Sequence, residues 1–163
     1  MTPPPVTLST HLPAPPEAVW TRLLETATLE HVAAPLLRFR PEGRPLPRRW
    51  TPGTWRVQLR GPLGLPLGWQ EIQVSFPDAP PPLRRVRDDG RGALARRWDH
   101  VIEIAPEGAG TRYVDRVMIE AGWRTPAIRL FARLFYAHRQ RRLRRLCLTP
   151  RTRRRDRGAP PPA

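Results

Sequence analysis

A histidine and an aspartate occupy the apolar sides of two neighbouring segments, and together they could perform acid–base chemistry. Apolar and polar residues alternate with a period of two, which predicts two β-strands. His100 shares one face with Trp98, Ile102 and Ile104, and Asp115 shares a face with Tyr113, Val117 and Ile119. An imidazole beside a carboxylate can act as an oriented general base. The carboxylate can equally serve to satisfy a buried imidazole.

The turn "APEGAG" between these segments predicts a hairpin that brings the two polar side chains together. If Ile104 pairs with Thr111, His100 lies directly opposite Asp115, with Cβ atoms roughly 4.5–5.5 Å apart. A register shift of two makes them diagonal neighbours, whereas a shift of one is excluded by the apolar pattern. A structural or ligand-orienting role is preferred over catalysis, because the sequence shows no third catalytic group. The candidate catalytic residues are therefore His100 and Asp115.

The sequence lacks the motifs of metal and nucleotide sites. There is no Cys/His cluster, no phosphate-binding glycine loop and no Ser-His-Asp order. We therefore expect no metal and no cofactor.

The elements that must position the pair follow from periodicity. A strand at "VTLSTHL" precedes two short helices in "PAPPEAVWTRLLET" and "ATLEHVAAPLL", and "LLRFR" suggests another short strand. Strands follow at "TWRVQLRG" and "WQEIQVSF", with Ile72 and Val74 on one face, while the poor alternation of "LRRVRD" predicts an exposed or edge strand. The last element is a long helix over 125–148 with a stripe of Ile128, Phe131, Leu134, Phe135 and His138. The order predicts an α+β fold in which a curved antiparallel sheet wraps on the C-terminal helix.

Three motifs in this order resemble those of the START-like, or SRPBCC, superfamily of helix-grip proteins, which includes polyketide cyclases. They are "APPEAVW", "GALARRWDHVIEIAPEGAGTRYVDRV" and "FYAHRQRRLRRL", and the resemblance covers about residues 5–148. It departs from the family pattern at Ile102, where many members carry a second histidine. The resemblance implies a hydrophobic cavity between sheet and helix for a lipid, a polyketide or another apolar ligand. The ligand-binding residues expected there are Trp98, His100, Ile102, Tyr113, Asp115, Val117, Ile72, Val74, Phe131, Phe135 and His138.

The basic residues are concentrated at the C-terminal end. The formal net charge is +15, all basic residues are arginine, and ten of them lie between Arg139 and Arg157. A cluster of this kind can neutralise the phosphates of RNA or of an anionic membrane, although a solvated helix end is the simpler interpretation. The candidate polyanion-binding residues are Arg139, Arg141, Arg142, Arg144 and Arg145.

Size and composition predict one folded domain. The 163-residue chain favours a single domain over 1–148, followed by a disordered Arg/Pro-rich tail over 149–163. The lone Cys147 and the absence of a secretory signal or a membrane span favour a cytoplasmic protein. Three functions remain open: binding or carriage of an apolar molecule, a cyclase- or dehydratase-like enzyme using His100 and Asp115, and an RNA- or membrane-associated module.

Overall fold

The computed structural model describes residues 4–149. Along the chain these residues form β1 (Val6–Leu12), α1 (Pro16–Leu23), α2 (Thr26–Ala33), β2 (Arg38–Glu42), β3 (Gly53–Arg60), β4 (Pro66–Ser75), β5 (Arg84–Gly92), β6 (Arg97–Glu107), β7 (Gly110–Glu120) and α3 (Thr125–Leu148). Single 3₁₀ turns at Pro62–Gly64 and Gly122–Arg124 precede β4 and α3. This order of strands and helices is the predicted one.

The seven strands form one antiparallel sheet in the order β1-β7-β6-β5-β4-β3-β2. The sheet curves around α3, which packs against β1, β7 and α2. The predicted α+β helix-grip fold is confirmed. The buried positions of α3 recur at helical spacing and form one stripe: Ala132, Phe135, Tyr136, Arg139, Gln140 and Leu143.

Strand β5 lies inside the sheet, between β4 and β6, and its predicted edge position is wrong. Residues of β5 do alternate between the two faces of the sheet, but only one of the inward residues Val86, Asp88 and Gly90 is a large apolar residue. The apolar alternation is therefore weak in the sequence. Two outward arginines of β5, Arg85 and Arg87, form ion pairs with carboxylates of β6. Gly90 is required by close packing, since a Cβ atom there would lie 2.5 Å from the Glu71 carbonyl oxygen of β4.

The register of the β6–β7 hairpin differs by two residues from the first of the predicted alternatives. Ile104 pairs with Tyr113 rather than Thr111, so His100 faces Val117 and Asp115 faces Ile102 across the ladder. The strands pair as far as Glu107 and Gly110, which leaves a two-residue turn that begins at Gly108 with a φ of 57°. Glycine favours this left-handed conformation in tight hairpin turns. His100 and Asp115 are therefore diagonal neighbours.

Two apolar clusters form the interior. One lies beneath α1 and α2 and includes the edge-to-face pair of Trp50 and Trp55, and the other lies beneath α3 around Trp98 and Phe135. Within residues 4–149, no helix is both long enough and apolar enough to cross a membrane.

Candidate functional site

A cavity of about 110 Å³ lies between the concave face of the sheet and helices α2 and α3. Most of its wall is apolar. The apolar lining residues are Leu23, Leu29, Val32, Leu37, Phe39, Trp50, Leu59, Ile72, Val74, Val86, Leu94, Trp98, Ile102, Phe131, Phe135 and Leu143.

A small group of polar side chains enters this apolar space from four elements. They are Asp88 of β5, His100 of β6, Tyr113 of β7, and Tyr136 and Arg139 of α3, with Thr28 and Gln70 completing the polar lining. An apolar pocket with a few convergent polar groups is the usual form of a small-molecule site.

Asp115 anchors the polar group from behind the cavity wall and is fully buried. Its Oδ1 atom lies 2.7 Å from His100 Nε2 and accepts a hydrogen bond of 2.9 Å from the Tyr113 hydroxyl. Its Oδ2 atom accepts a 2.9 Å hydrogen bond from the Gln140 amide. Burial would raise the pKa of Asp115, but His100, Arg139 and Gln140 hold it below its ordinary value. Asp115 is therefore a carboxylate that accepts hydrogen bonds from three side chains.

His100 is buried and neutral at physiological pH. Burial lowers the pKa of His100 below its ordinary value, against the opposing effect of Asp115. Because the Asp115 carboxylate can only accept, the neutral imidazole carries its proton on Nε2 and keeps a lone pair on Nδ1. This tautomer is the one that a general base requires.

Asp88 lies opposite His100 in the β5–β6 ladder. Burial raises the pKa of Asp88 to about 7, although a 2.8 Å hydrogen bond from the Gln73 amide N–H to its Oδ1 atom and the charge of Arg139 oppose this. At neutral pH Asp88 is thus present in both protonation states. A group of this kind can donate or accept a proton.

Arg139 points inward and does not belong to the predicted polyanion-binding surface. Only 9% of the residue is exposed, and its guanidinium lies 5.0 Å from the ring centroid of Tyr136. The surface prediction is wrong here because position 139 continues the buried stripe of α3, four residues after Phe135. Burial would lower the pKa of Arg139, but Tyr113, Tyr136 and the two inner carboxyls raise it, so the side chain stays charged.

Tyr136 connects the helix to the polar strand residues. Its hydroxyl accepts a 3.0 Å hydrogen bond from Trp98 Nε1, and its ring centroid lies 4.5 Å from that of His100. Burial raises the pKa of Tyr136 well above its ordinary value, and the pKa of Tyr113 is raised for the same reason. Both phenols therefore keep their protons. Tyr113 donates its proton to Asp115, whereas Tyr136, which accepts from Trp98, can donate its own.

The residues that we predicted to bind ligand fall into two groups in the structure. Eight of them line the cavity: Ile72, Val74, Trp98, His100, Ile102, Tyr113, Phe131 and Phe135. Asp115 and Val117 are fully buried and lie outside the cavity wall. His138 also lies outside it, since its Nε2 atom is 2.8 Å from the Ala34 carbonyl oxygen.

The other predicted polyanion-binding arginines do lie at the surface. Arg141, Arg144 and Arg145 are exposed. Arg142 is half-buried and donates a 2.9 Å hydrogen bond from Nε to the His31 carbonyl oxygen. Of the tail predicted over 149–163, residues 150–163 lie outside the described residues.

Sequence reasoning missed three polar residues of the cavity wall, Asp88, Tyr136 and Arg139. It also missed Gln140, which contacts Asp115 outside the wall. Tyr136, Arg139 and Gln140 could have been found by extending the apolar stripe of α3 at spacings of three and four. Asp88 could have been found from its place two residues after Val86. Among the described residues, no group of three or more His, Cys, Asp or Glu side chains could hold a metal ion.

Comparisons with known proteins identify the family and support the fold. Residues 10–147 match the family model described as "Domain of unknown function (DUF8410)", and the chain belongs to this family. No curated protein matches the sequence.

Solved structures share the fold at low sequence identity. Protein CV1439 from Chromobacterium violaceum is 16% identical, with a TM-score of 0.67 over 91% of this chain and 100% of that chain. TTHA0849 from Thermus thermophilus is 18% identical, with a TM-score of 0.61 over 89% and 97%. Ara h 8.0201 is 12% identical, with a TM-score of 0.53 over 85% and 97%.

Proposed function

We propose that this member of the DUF8410 family binds an apolar small molecule in the cavity between the sheet and α3. The observation that carries the proposal is the cavity itself, because buried apolar side chains such as Ile72, Val74 and Val86 line an open volume. Protein interiors are otherwise close-packed, and unfilled apolar space weakens the fold. A ligand that fills the space recovers the lost contacts.

The volume limits the size of the ligand. A dry apolar cavity of about 150 Å³ is known to hold benzene, and the cavity of about 110 Å³ is of similar scale. It accommodates a molecule with about one ring, or the buried end of a longer one. Binding of this kind needs no reaction, and His100, Tyr113 and Tyr136 would orient the ligand through hydrogen bonds.

Native mass spectrometry of gently purified protein, beside a denatured sample of the same preparation, tests this proposal. We expect a small-molecule mass that is retained in the native protein and lost on denaturation. Val86→Phe should fill the cavity and abolish retention.

Val101→Phe is the matched control, because it makes the same change on the opposite face of the sheet. Val101 pairs across the ladder with Arg87, whose side chain lies on the outer face in an ion pair with Asp99. This variant should keep the ligand. Equal retention by the two variants would contradict the proposal, provided that both melt cooperatively.

A second function, acid–base catalysis of the cyclase or dehydratase type, is favoured by one specific observation. His100 is oriented by Asp115 at 2.7 Å and has Asp88, with a pKa of about 7, as its ladder partner. Two groups whose environments shift their pKa values in opposite directions are typical of acid–base sites.

Deuterium exchange distinguishes catalysis from binding alone. In D₂O, an enzyme of this type should accelerate exchange of the acidic C–H protons of 1-phenyl-1,3-butanedione, a small aryl β-diketone. His100→Gln should lose the acceleration, because glutamine cannot take up the proton, while Arg141→Met on the surface should keep it. Exchange that survives His100→Gln unchanged would rule out this mechanism.

A further inference from the structure

Arg139 is a buried cation that no carboxylate within residues 4–149 pairs with. Its Nε atom is buried and has no hydrogen-bond partner in this part of the chain. None of the ion pairs in residues 4–149 involves its guanidinium. Its contacts are instead with the rings of Phe135 and Tyr136, at 5.8 and 5.0 Å from the two centroids.

This arrangement is costly for the protein alone. A buried charge is normally paired and hydrogen-bonded, because burial removes its hydration. Asp115 does not provide the pairing, because within residues 4–149 its ion pair is with His100 and its other hydrogen bonds come from Tyr113 and Gln140. Asp88 lines the same cavity and lowers the energy of the cation through its charge, but the two side chains do not form an ion pair.

We propose that Arg139 binds an acidic group of the ligand, so that the cavity selects apolar acids over neutral molecules of the same shape. The inference rests on the proposed function, and it adds the chemical class of the ligand. A guanidinium offers planar, paired N–H donors that match the two oxygens of a carboxylate. The apolar side chains of β4 and β5 would then contact the hydrocarbon part.

The wall around Arg139 suits a planar anion. The face of Tyr136 and that of Phe135 restrict the guanidinium to a few orientations, and Arg139 itself lines the cavity. Tyr113 and Tyr136 keep their protons, so their presence adds no negative charge that would repel the ligand. An anion bound there gains a charge-assisted contact in a place that excludes most water.

A matched pair of small probes tests the inference. The dissociation constants of 4-fluorophenylacetate and 4-fluorophenylacetamide are measured by ¹⁹F NMR at pH 6.5, because the two differ in charge but hardly in size. We expect the wild-type protein to bind the acid at least 10-fold more tightly than the amide. Arg139→Met should remove that preference, and Arg139→Lys should retain part of it. The control Arg133→Met, at an exposed position of the same helix, should leave it unchanged.

The possible results separate this inference from the proposed function. Equal binding of both probes to the wild type, or a preference that survives Arg139→Met, would overturn the role of Arg139 and leave apolar binding intact. If neither probe binds, both proposals fail for ligands of this size. The melting temperature checks the fold, and Arg139→Met should melt at or above the wild-type temperature, because it replaces a buried charge that has no ion pair within residues 4–149 with an apolar side chain.

Discussion

Both faces of strands β5 and β6 carry aspartates, but the two faces differ in hydrogen-bond partners and in the direction of the pKa shift. On the outer face, Asp99 accepts hydrogen bonds of 2.8 and 2.9 Å from Arg87 and one of 2.9 Å from Arg97. These bonds, above all those from Arg87, lower the pKa of Asp99. On the inner face, Asp88 accepts a hydrogen bond from the backbone N–H of Gln73 instead of from an arginine, and burial raises its pKa to about 7.

The difference shows which charges serve the fold and which serve the cavity. Outer carboxylates are matched by arginines at the surface, where ion pairs contribute little but cost little. The inner face holds a carboxyl whose pKa burial raises to about 7, an imidazole whose pKa burial lowers, and a guanidinium that forms no ion pair within residues 4–149. Buried polar and charged groups of this kind cost more than apolar side chains. Groups kept at such a cost are typical of binding and catalytic sites.

The sharpest test of the contrast is Asp115→Asn on the inner side. The asparagine side chain would turn an NH₂ group toward donors that Asp115 now satisfies, so we expect a loss of about 3 kcal/mol in the free energy of unfolding. Urea denaturation at pH 7 measures it. The wild-type contribution is present above the unfolded pKa of 3.8 and is lost as pH falls through the lower folded pKa.

Asp99→Asn is the matched control on the outer face. It removes a carboxylate that also accepts three hydrogen bonds, but from arginines that are partly exposed, so we expect a loss of about 1 kcal/mol. Both carboxylates are buried, and only the donors differ in exposure. Equal losses from the two variants would show that the exposure of the donors does not distinguish the two faces, and the comparison would fail.

Much of the fold was predictable from sequence because its signals are local. Alternation marked the strands on either side of Gly108, and helical spacing marked α3 from Thr125 onward. The register of the β6–β7 hairpin was not predictable, because it depends on where in "APEGAG" the turn is centred. Pairing of Ile104 with Tyr113 centres the turn on Gly108 and Ala109, whereas pairing of Ile104 with Thr111 would centre it one residue earlier.

The candidate site was only partly predictable, because charge types mislead about burial. His100 and Asp115 stood out against apolar neighbours, and their contact was anticipated. Asp88 and Arg139 each lie among other charged residues, a composition typical of solvent-exposed segments. Only the central position of β5 and the packing of α3 turn these two side chains toward the cavity.

Asp88→Asn should reveal an effect of opposite sign that depends on pH. The pKa of Asp88 is about 7 in the folded protein against 3.8 unfolded, so between these values the folded state holds more protons. The contribution of the protonated Asp88 carboxyl to the free energy of unfolding is complete below pH 3.8 and is lost as pH rises through 7. We therefore expect the free energy of unfolding of Asp88→Asn to exceed that of the wild type at pH 8 by on the order of a few kcal/mol, with little difference at pH 4.

The same substitution at the next residue is the control for Asp88. Asp89 lies on the outer face, where it forms a 3.1 Å ion pair with Arg87, and Asp89→Asn should give no gain at pH 8. Thermal melts of both variants from pH 4 to pH 8 make the comparison. A pH profile of Asp88→Asn parallel to that of the wild type would show that Asp88 is ionised like a surface carboxylate.

Glu103→Gln on the outer face should have a small effect on the free energy of unfolding that depends on salt. Glu103 accepts hydrogen bonds from Nε of Arg85 at 2.7 Å and of Arg116 at 3.1 Å. Although burial would raise the pKa of Glu103, these two arginines hold it below its ordinary value. We expect the variant to lose about 1 kcal/mol at low ionic strength and about half of that in roughly 0.5 M NaCl, since both arginines are partly exposed and salt screens such pairs.

Urea denaturation at the two salt concentrations measures the loss for Glu103→Gln. A loss near 3 kcal/mol, roughly that expected when a buried pair is broken, and one that salt does not reduce, would place Glu103 in the same energetic class as Asp115. The exposure of the arginine partners would then no longer explain why substitutions on the two faces of the sheet differ in their effect on stability.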